Sequence, residues 1–119
     1  AFQRLVSPFL DAPDNDVVPL TDGDTVGSFT AYHTPGHTPG HVCYVSEALS
    51  LGLLGDLVRE DGGRFEPSPW LLSYDTDAVA RSISDFAERA PGFDIAVPGH
   101  GVPFHKNGAE RLARLAATL

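Results

Sequence analysis

The chain predicts an α/β (α+β) fold with an antiparallel or mixed sheet. Three features point there. Short apolar runs broken by Gly, Pro and Asp-Gly turns fill the first half, amphipathic helical patterns cover 76–90 and 108–118, and one buried apolar run lies between those helices. At 119 residues and 42% apolar content the chain fits a single domain, 1–119. No apolar run approaches the roughly 18 residues of a membrane span.

Residues 1–10 read as the end of a helix interrupted at Pro8, and 11–16 as a loop. The stretch 17–20 is an edge strand at best, because Pro19 has no amide to donate to a ladder. Asp22-Gly23 is a turn signal, and 25–32 then reads as one strand. Further strands follow at 42–46 and about 50–54. Residues 57–70 hold Gly62-Gly63, Pro67 and Pro69 and read as an irregular loop, whose Phe65 and Trp70, with Leu71 and Leu72 just beyond, cover the sheet or border a site. Asp75 or Thr76 starts a helix whose Val79, Ile83, Phe86 and Ala87 share one face, and Pro91-Gly92 ends it. A buried strand at 93–97 precedes a closing helix capped by Asn107, with Leu112, Leu115 and Ala116 inward.

Sixteen acidic residues against eight basic ones give a formal charge of -8, which disfavours nucleic acid and anionic membrane surfaces as partners. The single cysteine, Cys43, excludes an intrachain disulfide framework and favours a reducing compartment, so a cytoplasmic location is the expectation. Residues 1–10 lack the long apolar core of a signal peptide.

Candidate chemistry sits in three places. The first is His33-Thr34-Pro35-Gly36-His37-Thr38-Pro39-Gly40-His41. Its four-residue histidine spacing suits a helix face, but two Pro-Gly pairs forbid one, leaving a stiff loop between two apolar runs. Such a loop holds an imidazole with little freedom left to lose, a favourable setting for a metal ligand. The second is Gly55-Asp56 after Leu51-Gly52-Leu53-Leu54, and the third Pro98-Gly99-His100-Gly101 after Ile95-Ala96-Val97. Both place a metal-capable residue after an apolar run, at a strand's end. Converging strand ends would bring His37, Asp56 and His100 together.

The order TPGHTPGH, GD, PGHG resembles the C-terminal half of the metallo-β-lactamase superfamily, specifically its glyoxalase II-like metallohydrolases. The resemblance runs from about Val18 to the last helix. It implies half of an αββα sandwich, a mixed sheet with helices on one face, and thus a partial domain over 1–119. It also implies two metal ions, with His37 on one, His100 on the other and Asp56 bridging both. Zinc is the expected ion, iron or manganese being allowed. Catalysis would be hydrolysis of an ester, thioester, lactone or phosphoester small molecule by a hydroxide bound between the two ions that Asp56 holds together, the aspartate arguing against β-lactams. The family's HxHxDH motif is missing, and no histidine occurs before His33. A rival expectation follows: a non-catalytic half-domain or fragment that binds metal weakly or not at all, completed by an N-terminal half or by a homo-oligomer.

The remaining candidates read as structural. His41 is expected to pack or to hydrogen-bond a ligand from behind. His33 belongs to a strand, His105 to the surface, and Cys43 to the core as an inert thiol.

Overall fold

Two strands, not one, form the 25–32 run. In the computed structural model, which describes residues 20–69 and 75–119, β1 (Thr25–Val26) turns at Gly27-Ser28 into β2 (Phe29–His33). Gly27 at φ 58° supplies the left-handed backbone of that turn. The predicted helix end at 1–10, most of the 17–20 strand, and Trp70, Leu71 and Leu72 lie outside the described residues.

β3 (Val42–Ser46) falls where its β-branched and aromatic residues predict, antiparallel to β2 from Phe29↔Ser46 to His33↔Val42. The next strand departs from expectation. β4 (Leu51–Asp61) is eleven residues long and runs straight through Asp56, and β5 (Arg64–Pro67) returns beside it as a hairpin around Gly62-Gly63. The 57–70 segment is therefore mostly strand. Glycines at 62 and 63 signal a hairpin tip, with φ 62° and 82°, and Pro67 closes the last strand position at the sheet edge.

α1 (Thr76–Arg89) starts at an Asp75 cap, whose Oδ1 accepts the Ala78 amide at 3.0 Å. It stops at Ala90, before Pro91. β6 (Ile95–His100) then enters parallel to β4, the crossover connection making the sheet mixed. α2 (Gly108–Ala116) closes the chain. Asn107 precedes it in the left-handed region at φ 58°, without a side-chain cap, which corrects the capping role expected of it.

Sheet order is β1-β2-β3-β4-β5, with β6 on β4. Both helices lie on one face, as expected. Val79, Ile83 and Phe86 of α1 and Leu112 and Leu115 of α2 pack with Cys43, Val45, Leu54, Leu57, Val58 and Ala96 of the sheet. Burying a side chain such as the fully enclosed Phe86 stabilises the fold by roughly 1.5–3 kcal/mol. The opposite face carries two cross-strand rows, Phe29–Ser46–Leu51–Ile95 and Ala31–Tyr44–Leu53–Val97. Its Phe29, Tyr44, Leu51, Leu53, Ile95 and Val97 are half-buried and take no part in the helix-side core.

Candidate metal centre

The Pro-Gly loop between β2 and β3 is closed by the Thr34 amide on the His41 carbonyl at 2.9 Å. It is then docked onto α1. The Ser82 hydroxyl donates to the Pro35 carbonyl at 2.7 Å, and the Asp75 amide donates to the Gly36 carbonyl at 2.8 Å. A β-carbon on Gly36 would stand 2.5 Å from the Val79 amide nitrogen, so only glycine lets the loop lie this close to the helix. This docking aims His37 across the sheet towards Asp56.

Asp56 reaches the same point by a different route from the one its sequence suggests. It sits mid-strand, at a bulge, not at a strand's end. The β4–β6 register shifts between Leu53 and Gly55 and again between Gly55 and Arg59, and Gly55 adopts φ 52°. Asp56 has no Cα partner in the β3, β5 or β6 registers. Its backbone is held by side chains instead: the amide donates to His41 Nε2 at 3.1 Å, and the carbonyl accepts from the Ser68 hydroxyl.

His100 ends β6 as expected, and the three candidates meet. His37 Nε2 lies 3.3 Å from Asp56 Oδ2, and His100 Nε2 lies 3.5 Å from Asp56 Oδ1. Exposure rises across the group, from 22% for the His37 side chain through 39% for Asp56 to 71% for His100, so His100 forms the solvent-facing rim.

The donor set suits borderline cations. Two ligands about 2.1 Å from a shared tetrahedral ion stand about 3.4 Å apart, which both nitrogen–oxygen pairs match. Each pair uses a different carboxylate oxygen, so the arrangement offers two half-sites with two protein ligands each. Among the described residues no group of three or more His, Cys, Asp or Glu side chains is disposed around one ion. His37 Nδ1 is also buried without a hydrogen-bond partner among them. The residues therefore fit a pair of ions in kind and spacing but not in number.

The other histidines divide as expected. His41 is 6% exposed, and burial pushes its pKa down to about 4. His33 ends β2, its Nε2 2.9 Å from the Pro39 carbonyl. His105 is exposed. Cys43 is wholly enclosed, and burial raises its thiol to about 12, which rules it out as a nucleophile near neutral pH. Sequence reasoning missed Ser68 and Thr34. Neither carries a signal in its local sequence, since their roles arise from contacts twelve and seven residues away.

Known structures resemble this fold over most of the chain. TTHA1623 in a di-iron-bound form is 29% identical at a TM-score of 0.68, covering 95% of this chain and 52% of its own. A metallo-beta-lactamase family protein from Thermus thermophilus, TTHA1429, is 24% identical at a TM-score of 0.62, covering 85% and 34%. A metallo-beta-lactamase from Erythrobacter litoralis is 25% identical at a TM-score of 0.56, covering 76% and 40%. The chain thus spans about a third to a half of the length of these proteins. No curated protein matches it in sequence. The family profile described as the metallo-beta-lactamase superfamily matches residues 4–102. With that match over most of its length, the chain belongs to the metallo-beta-lactamase superfamily.

Proposed function

We propose that the chain supplies the second half of a two-metal hydrolase site, in a protein acting on a small ester, thioester, lactone or phosphoester. One observation carries this reading: Asp56 presents its two carboxylate oxygens to His37 and His100 separately, at 3.3 and 3.5 Å. His37 would hold one ion, His100 the other, and Asp56 both. Zinc suits these ligands, and the di-iron form of TTHA1623 supports iron as the alternative. When bound, such ions supply Lewis acidity, lowering the pKa of water from 15.7 towards about 7 and polarising a carbonyl or phosphoryl oxygen.

The chain's own residues do the rest. Asp56 fixes the spacing between the two half-sites. His37, half-buried and locked by the docked loop, anchors the inner one. His100 stands at the exposed rim, where a substrate first meets the site. Zinc takes three or four protein ligands, so the remaining ligands come from polypeptide beyond these three residues. A lone, non-catalytic half-domain remains the competing reading, favoured by the count of two ligands per ion.

Metal analysis by mass spectrometry of the purified chain, beside His37→Ala/His100→Ala, separates the two. Metal retained by the parent and lost in the double variant supports the proposal. Folded parent protein with background metal, even after zinc or iron is added, favours the non-catalytic half-domain for this chain and leaves metal binding and catalysis to a longer protein that supplies the further ligands.

A further inference from the structure

The bulge at Gly55 interrupts the ladder on both sides, leaving the Leu54 carbonyl and the Asp56 amide in need of partners. Both find them in side chains from β3 and the loop before it. The Cys43 thiol donates to the Leu54 carbonyl at 3.3 Å. His41 Nε2 accepts the Asp56 amide at 3.1 Å.

Thr34 connects these two contacts. Its Oγ1 lies 2.9 Å from His41 Nδ1 and 3.4 Å from Cys43 Sγ. The direction of the His41 contacts is fixed by the amide. An amide donates, so His41 Nε2 is the acceptor and Nδ1 bears the ring proton. That proton goes to the Thr34 hydroxyl, which has Cys43 Sγ and, at 3.5 Å, the His41 carbonyl as acceptors, and the Cys43 thiol donates to Leu54. Every donor in the chain is used once, and Thr34 and Cys43 are fully buried.

A β-carbon on Gly55 would lie 2.9 Å from His41 Nε2, so the ring fills the space under the bulge. Resting on the reading of Asp56 as a ligand, we infer that His41 is a positioning residue. Through the Asp56 amide it sets the bulged backbone from which one carboxylate reaches both His37 and His100. This gives the second histidine of the Pro-Gly loop a task distinct from that of the first, with the Asp56 amide setting its tautomer and Thr34 accepting from Nδ1.

The experiment uses the full chain and has two arms. In the metal-free protein, ¹⁵N NMR of the His41 ring is expected to show the Nδ1–H form, and the Asp56 amide to exchange slowly with solvent. His41→Leu should speed Asp56 exchange at least tenfold while the amides of Val45 in the sheet and of Ala96, which donates to the Phe104 carbonyl, keep their protection. His41→Gln, which restores an acceptor, should recover it. An Nε2–H ring in the parent, or an Asp56 amide unaffected by the loss of His41, overturns the inference, and the parent's ring spectrum decides even if the leucine variant does not fold.

The second arm is cobalt titration followed by visible spectroscopy. Loss of the His41 acceptor should weaken cobalt binding about 10–100-fold and alter the ligand-field bands, with the glutamine variant between. Equal affinity and identical bands in His41→Leu overturn the inference. A parent that binds no cobalt but shows the expected tautomer and protected amide means that His37, Asp56 and His100 do not hold an ion without further ligands, and supports the hold of His41 on the Asp56 backbone.

Discussion

Gly99 and Asp56 are packed so tightly that a β-carbon on Gly99 would overlap Asp56 Oδ1 and lie 2.8 Å from the Gly55 carbonyl oxygen. The glycine of the Pro-Gly-His turn is thus one wall of the carboxylate's slot. Gly99→Ala is expected to cost about 1–3 kcal/mol by overpacking, and to push the carboxylate off the line between the two imidazoles. Urea unfolding measures the first effect and cobalt titration the second. An alanine variant with parental stability and metal binding would show that the slot is elastic.

The loop carrying His37 depends on close approach to α1. Gly36, at φ 146°, leaves no room for a side chain beside Val79, whereas Ser82 contributes one hydrogen bond to the same docking. Gly36→Ala should therefore destabilise more than Ser82→Ala, whose loss is about 1 kcal/mol. Thermal melts of the two variants, ranked against each other, test the order.

His41 makes metal-free stability depend on pH. Its folded pKa of about 4 lies below the ordinary 6.5, because burial disfavours the imidazolium. The unfolded chain binds the proton more readily, so the contribution is whole above 6.5 and is lost as pH falls towards 4. In EDTA, stability should decline across that window, and His41→Gln should flatten the decline.

A second, lower window belongs to Asp22. Arg89 grips it through both terminal nitrogens, at 2.8 and 2.9 Å, and holds its carboxyl down at about 2 from 3.8. The carboxylate's contribution is present above 3.8 and is lost as pH falls through about 2. Because both groups are about 40% exposed, the pair is worth only about 0.2–1 kcal/mol. Asp22→Asn should remove that amount at neutral pH, and 1 M salt should shrink the difference. A larger or salt-independent loss would assign the effect to the His33 amide, which also donates to Asp22.

Local rules written in the chain determined much of this protein. Period and caps placed α1 almost to the residue, the apolar run after the histidine loop placed β3, and three motifs named His37, Asp56 and His100 together with the family. What failed was the reading of glycines along the strands. Gly27 splits one expected strand into two, whereas Gly55 lets β4 continue past Asp56 because the bulge's orphaned carbonyl and amide are met by Cys43 and His41. A chain segment does not reveal whether distant side chains will supply those partners. Only the tertiary structure decided that Asp56 stands mid-strand, that Gly36 and Gly99 are spacers against α1 and the carboxylate, and that the group His41 holds is the Asp56 backbone amide. The reason is physical: propensity acts over a few residues, whereas the satisfaction of buried backbone groups is settled by whatever the fold brings within hydrogen-bond reach.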